Sequence, residues 1–251
     1  MRRTAELRPP DPLDVGADAL FLDLDGTLAP IVSRPEDVRA EPGRNSLLRV
    51  LKDRLQGRLA VISGRSLAEI DRILDGAVDA AAGIHGLERR RVDGRLIQAP
   101  PSPGLAPART ALAGLVAAWP RVRIEDKGLS LAIHYRAAPQ AAEAVKSLAE
   151  RLAASGGLVL QAGDMVAELL SPGPNKGDAV RTFMAEPPFI GARAMFIGDD
   201  LTDEAGFAAV RALGGTGVLV GTGRPTAALA RLDDVAAVLD WLGAGVCGTR
   251  A

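Results

Sequence analysis

ALFLDLDGTL, residues 19–28 of a 251-residue chain, is the stretch that decides the fold. Ala19–Leu22 is a short, unbroken apolar run, which suits a strand covered on both faces. It ends in Asp23 and Asp25, with Gly26 permitting a sharp exit from the extended segment. Two carboxylates separated by one residue at the end of a strand point the same way. A buried strand that delivers acids to a loop fits an open α/β sheet, in which ligands gather at the carboxyl edge of the strands.

Working outward, residues 43–56 place Leu47, Leu48, Leu51 and Leu55 at helical spacing. Residues 59–62 (LAVI) form a second buried strand closed by Ser63-Gly64, 67–74 is helical, and 79–83 is a third short strand. This alternation predicts a parallel sheet covered by helices. From Gly86 the rhythm changes. Residues 86–99 carry Asp93-Gly94 between two runs of mixed polarity, a hairpin signal. A proline-rich connector leads to a helix at 106–118, strands at 122–125 and 129–135, and a helix at 140–154. A second hairpin, 158–161 with 165–170, turns at Gly163-Asp164. Beyond Ser171 the first rhythm returns: helix 176–184, strand 194–197 (AMFI), helix 204–213, strand 217–220, a last helix over 225–231 and a closing segment at 233–242. The expectation is a Rossmann-like α/β core formed by 17–85 and 174–251, an inserted α+β cap at 86–173, and a flexible tail at 1–16.

Composition narrows the function classes. The chain is 47% hydrophobic and 24% charged, as a folded globular protein is. Thirty basic against thirty-one acidic residues argue against a nucleic-acid binder that relies on neutralising phosphates. A single cysteine, Cys247, excludes a disulfide framework and a thiolate zinc site. No run has the roughly 18–20 apolar residues of a membrane span, and the N-terminus lacks the apolar stretch of a signal peptide. The expected location is cytoplasmic. Only four of the basic residues are lysine (Lys52, Lys127, Lys146 and Lys176), so each lysine is informative.

Three core strands end in chemically loaded sequences: Asp23-Leu-Asp25, Ser63-Gly64-Arg65, and Gly198-Asp199-Asp200-Leu201-Thr202-Asp203-Glu204. Asn175-Lys176-Gly177 opens a helix between the second and third. Clustered carboxylates are tolerable around a hard cation, and oxygen ligands with few histidines point to Mg²⁺. A cation, Lys176, a hydroxyl and backbone N–H groups make a phosphate pocket. A carboxylate facing that phosphate is a nucleophile, and its neighbour two residues on is a general acid and base. Glu204 reads as an acid at a helix start. Residues 214–223, rich in glycine but without a P-loop lysine, read as turns, and Arg89–Arg91 as a solvated hairpin edge.

Asp-x-Asp-Gly-Thr-Leu, Ser-Gly-Arg, a lysine opening a helix, and Gly-Asp-Asp-x-x-Asp, in this order, resemble the four motifs of the haloacid-dehalogenase superfamily of phosphatases. Gly83-Ile-His-Gly-Leu-Glu-Arg89, Glu125–Arg136, Glu168-Leu-Leu-Ser-Pro172 and Gly198–Phe207 are similar to trehalose-6-phosphate phosphatases. That resemblance implies Asp23 as nucleophile and Mg²⁺ ligand, and Asp25 as acid/base that lends its carbonyl to the metal. It further implies Ser63 on a phosphoryl oxygen, Lys176 neutralising phosphate and nucleophile, Asp199 as the remaining protein ligand, and Asp200 or Asp203 orienting it or a metal-bound water. Gly64, Arg65, His85, His134, Arg136, Glu168 and Asn175 are the candidate substrate contacts, and Glu168 resembles the cap glutamate that bonds trehalose hydroxyls. The implied substrate is a sugar phosphate, trehalose 6-phosphate, supplied by a trehalose-6-phosphate synthase. Glucosyl- or mannosyl-3-phosphoglycerate and sucrose phosphate are the alternatives. With aromatics at 3% of the chain, the sugar should be selected by polar groups rather than by ring stacking. The presence of all five core residues speaks against a non-catalytic binding domain.

Overall fold

The computed structural model describes residues 7–32, 34–163 and 165–247. The chain forms two compact units, one built from residues up to Ile97 and from Pro174 onward, the other from Gln98–Gly173. Among the described residues no helix is long and apolar enough to cross a membrane.

In the first unit, β1 (Asp18–Leu22) is buried along its whole length. Alternate residues of a strand face opposite sides, so both faces need a cover. Leu20 and Leu22 join a core with α1 (Pro42–Arg54), α2 (Leu67–Leu74) and α7 (Val235–Cys247). Ala19 and Phe21 join another with α5 (Lys176–Met184) and α6 (Glu204–Ala212). There Phe21 meets Phe183 and Phe189 at ring-centroid distances of 6.1 and 5.4 Å. This is the expected parallel sheet with helices on both sides.

Beside β1 lie β2 (Leu59–Ile62) and β3 (Ala80–Gly83) on one side, and β10 (Arg193–Gly198), β11 (Thr216–Val220) and β12 (Ala230–Leu232) on the other. All five of these pairings are parallel, with Leu22 opposite Val61 and Ile197. The chain therefore leaves β1 toward one edge and returns beside it at β10. Such a reversal opens a crevice at the carboxyl ends of β1 and β10.

Three expectations change. Residues 86–97, read as the start of the insertion, extend the core sheet: β4 (Glu88–Arg90) runs antiparallel to β3, and β5 (Leu96–Gln98) forms the edge. Arg89 is consequently buried, not a solvated edge; it is paired with both carboxylate oxygens of Glu186 at 2.8 and 2.9 Å and lies over the Phe183 ring. Residues 225–231 are not a helix. The Glu204 carboxylate takes the Ala227 N–H, the Thr226 hydroxyl takes that of Ala228, and the chain then pairs with β11 as β12. Sheet pairing and side-chain acceptors thus override the alanine-rich helix propensity.

The tail is the third. Residues 1–6 lie outside the described residues, but 7–16 are anchored: Leu13 is buried in the core, and Asp11 and Arg8 give their carbonyls to Trp241 and Arg231.

The second unit is an antiparallel sheet in the order β6 (Arg123–Asp126), β7 (Ser130–His134), β9 (Val166–Leu170), β8 (Val159–Gly163). Asp164, in the expected turn, lies outside the described residues. Leu131, Ile133 and Leu169 pack with Leu112 of α3 (Leu105–Ala118) and Val145 of α4 (Ala142–Gly156). The register sets Ala132 opposite both Glu125 and Glu168, and Gln161 opposite Glu168. Paired residues share a face, so these polar side chains lie on the face opposite the helices.

Candidate active site

Asp23 follows β1 directly, its N–H donating to the Ile197 carbonyl of β10 at 2.9 Å. Lys176 is the first residue of α5, whose start is set by Asn175: the Asn175 carboxamide oxygen accepts the Gly177 and Asp178 N–H groups, and Asp178 reaches back to the Asn175 N–H. This capping box aims Lys176 inward. Its Nζ donates to Asp23 Oδ1 at 2.7 Å and to Asp203 Oδ1 at 2.6 Å, and all three residues are buried. Burial alone would lower the Lys176 pKa, but Asp203 and Asp23 overcome it and hold the ammonium charged.

Asp199 completes the cluster. Asp23, Asp199 and Asp203 each offer an oxygen, all within 4.8 Å of one another. Burial foremost, then Asp203 and Asp200, pushes the Asp199 carboxyl up to about 7. Burial also raises Asp23 well above the ordinary carboxylate range, with Asp203 and Asp199 adding to it against the pull of Lys176. Gly26 is obligatory here, since its φ is +83° and a Cβ would stand 2.1 Å from Asp199 Oδ2.

The donor chemistry suits a hard cation. Oxygens alone are offered, and one lysine cannot balance three acids. Asp203 is already committed, with Oδ1 to Lys176 and Oδ2 to the Asp200 N–H. Asp23 and Asp199 are therefore the carboxylates left to hold a metal. Asp200, expected with Asp203 to orient Asp199 or a metal-bound water, is not brought into the cluster; its Oδ1 takes the Leu201 N–H at 2.6 Å and the residue is exposed.

Asp25 stands apart from the acids, in a bidentate pair with Arg65: Nε and Nη2 donate to its two oxygens at 2.6 and 2.8 Å. Arg65 Nη1 donates to Glu69 at 3.0 Å and to the Pro35 carbonyl at 2.9 Å. Arg65, expected at the substrate, is thus buried against the acid/base candidate. Ser63 follows β2 on the adjacent strand end, buried, with the Arg65 N–H at 3.3 Å from its Oγ. His85, with φ +59°, donates its N–H to the Ser63 carbonyl, and its ring lies so close over Gly64 that a Cβ there would meet it at 2.6 Å.

The remaining expected residues belong to the second unit. Glu168 is buried, its Oε1 accepting from Ser130 Oγ at 2.5 Å and Lys127 Nζ at 3.2 Å. His134 Nε2 lies 2.9 Å from Glu125 Oε2. Burial would raise Glu125, but the His134 hydrogen bond and the Lys127 charge outweigh it and hold the carboxyl below its ordinary value. Arg136 follows β7 and is exposed. Lys127 was not among the expected contacts, although the scarcity of lysine was the signal that marks it. Thr27, whose Oγ1 lies 3.5 Å from Asp199 Oδ1, had no signal beyond its place in the first motif.

A family model described as trehalose-phosphatase matches residues 21–236. A trehalose-6-phosphate phosphatase of Escherichia coli (strain K12) is 42% identical over 226 residues, covering 89% of this chain and 85% of that protein. The crystal structure of a trehalose-6-phosphate phosphatase related protein matches with a TM-score of 0.77 at 30% identity, covering 91% of this chain and 97% of the other. A haloacid dehalogenase-like hydrolase from Bacteroides thetaiotaomicron shares the fold, with a TM-score of 0.65 at 15% identity over 89% of this chain and 97% of the other.

Proposed function

The chain belongs to the trehalose-phosphatase family, a family of phosphoric monoester hydrolases, and from that premise we propose that it hydrolyses trehalose 6-phosphate to trehalose and inorganic phosphate. The observation that carries the chemistry is the cluster of buried Lys176, Asp23 and Asp203 with half-buried Asp199. Mg²⁺ is the cation proposed there, held by Asp23 and Asp199 with the Asp25 carbonyl; when bound it supplies charge stabilisation to the phosphoryl oxygens.

Asp23 is the nucleophile. The oxygen that Lys176 does not hold attacks phosphorus in line, the bond from phosphorus to the sugar oxygen breaks, and an aspartyl-phosphate forms. Lys176 keeps its charge throughout and neutralises the transferred group, with the Ser63 hydroxyl donating to a phosphoryl oxygen. Asp25 protonates the departing sugar oxygen. It then takes a proton from the water that attacks phosphorus, and the bond from Asp23 to phosphorus breaks to release phosphate. Both Asp25 oxygens are held by Arg65, so Asp25 exchanges an Arg65 contact for the substrate in these two steps. Glu69 and the Pro35 carbonyl keep Arg65 in place meanwhile.

Recognition of the sugar is assigned to the polar sheet face of the second unit, where Lys127, Ser130 and Glu168 are already ordered by one another. A site built from such hydrogen bonds discriminates strongly against a misplaced hydroxyl, because its own buried polar groups would then be unpaired. His134, Arg136 and His85 are the further proposed sugar contacts. A trehalose-6-phosphate synthase is the enzyme that would supply this substrate.

The test is phosphate release from trehalose 6-phosphate, sucrose phosphate, glucosyl-3-phosphoglycerate and p-nitrophenyl phosphate, with Mg²⁺ and with EDTA. Trehalose 6-phosphate should give the highest kcat/KM, EDTA should abolish turnover, and Asp23→Asn should be inactive. Another substrate in first place overturns the sugar assignment; turnover in EDTA overturns the mechanism. Glu168→Gln should raise KM for trehalose 6-phosphate about tenfold while leaving p-nitrophenyl phosphate, which has no sugar to read, unchanged.

A further inference from the structure

The loop that carries Asp199 has a fastening outside the four motifs. β10 ends at Gly198, and residues 199 and 200 lead into a short 3₁₀ turn at Leu201–Asp203. Their carbonyls lie beyond the end of the strand. A peptide unit that bears a metal ligand is accurate only if its own N–H and C=O are held.

The donor comes from the neighbouring strand. β11 pairs parallel with β10, so the chain leaving it emerges at the same carboxyl edge, through the glycine-rich turns that the motifs leave without a role. Arg224, on this loop, turns its guanidinium onto the other one. Nη2 donates to the Asp200 carbonyl at 2.7 Å and to the Asp199 carbonyl at 3.3 Å, while Nη1 pairs with Glu204 at the start of α6. Glu204 Oε2 also takes the Ala227 N–H at 2.7 Å, closing the bridge between the loops. Glu204 is therefore more than a favourable charge at a helix start. It is the anchor that aims Arg224.

We infer that Arg224, anchored by Glu204, is the positioning residue for the metal-holding loop and sets how closely Asp199 meets the geometry a magnesium ion demands. The inference rests on the reading above that the cation sits at Asp23 and Asp199. Only a planar fork of several N–H donors reaches two carbonyls and a carboxylate at once; a lysine ammonium in this place does not reproduce the pattern. Mg²⁺ requires near-ideal octahedral ligands at short distance, whereas Ca²⁺ accepts longer and irregular ones. Loosening the loop therefore weakens Mg²⁺ more than Ca²⁺, a selectivity change that a general loss of structure does not produce.

The experiment titrates Mg²⁺ and Ca²⁺ separately into the full-length wild type, Arg224→Ala, Arg224→Lys and Asp199→Asn, following heat of binding and the rise in Tm. Arg224→Ala should bind Mg²⁺ about tenfold or more weakly and Ca²⁺ within about threefold of wild type. Arg224→Lys should fall between, and it serves as the measurement if the alanine variant does not fold. Wild-type Mg²⁺ affinity in the Arg224 variants, or an equal loss for both ions, overturns the inference. Asp199→Asn should lose Mg²⁺ binding. If it binds Mg²⁺ as the wild type does, the metal-site reading itself falls, whatever Arg224 does.

Discussion

Asp199 and Asp23 are carboxyl groups whose proton affinity the folded protein raises, Asp199 to about 7 by burial, Asp203 and Asp200. Their ordinary value is 3.8, so between these two limits the folded chain holds a proton that the unfolded chain has released. Stability from this source is present at low pH and is lost as pH rises toward 7. The acids with lowered pKa, Glu41, Glu125, Asp126, Asp178 and Glu186, have the opposite sign, and their contribution is lost only at more acid pH. With the metal removed by EDTA, Tm should therefore fall between about pH 5 and pH 7. A cation displaces the proton, so the rise in Tm on adding Mg²⁺ should grow over the same interval. Thermal melts at several pH values with and without Mg²⁺ check both; a Mg²⁺ effect independent of pH contradicts them.

At the scale of the element, α5 shows how one residue type serves two readings. Asn175 precedes Lys176, and adjacency alone makes it a candidate substrate contact. Its carboxamide oxygen is the N-cap of the helix that aims the lysine, a structural role that stands whether or not the residue touches substrate. Asn175→Ala should cost about 1 kcal/mol of stability and lower kcat through a less firmly held Lys176. Asn175→Asp preserves an acceptor at the cap and should restore Tm. Urea melts and steady-state kinetics of the two variants check this; a full Tm in the aspartate variant with a large rise in KM would restore Asn175 as a substrate contact.

The four motifs were legible at this scale because each is a contiguous stretch, three at strand ends and one at the start of α5. Segment 225–231 was not, because its state depends on β11 and on Glu204, neither of which is local. Arg89 to Arg91 misled for the same reason. Three consecutive charges look solvated until Glu186 and Asp71, distant in sequence, are seen to pair with them.

At the scale of the molecule, each unit has its own hydrophobic core, and each holds one of the two tryptophans: Trp241 packs on a core of the first unit and Trp119 on that of the second. Independent cores permit separate melting. Followed by fluorescence in Trp119→Phe and Trp241→Phe, urea unfolding should show different midpoints for the two probes, with the smaller second unit first. Coincident transitions would show that the units unfold as one.

The sequence by itself determined the parallel α/β core, the order of its strands along the chain, and the acids, hydroxyl and lysine delivered to their carboxyl ends. These follow from hydrophobic period and residue type, which act over a few neighbouring positions. What tertiary structure alone decided was the division of labour among those groups. Asp203 belongs to Lys176, Asp25 to Arg65, and Glu168 to Lys127 and Ser130. The physical reason is that burying a charge forces it to find a partner, and which partner lies within hydrogen-bond reach is set by strand order and register rather than by distance along the chain.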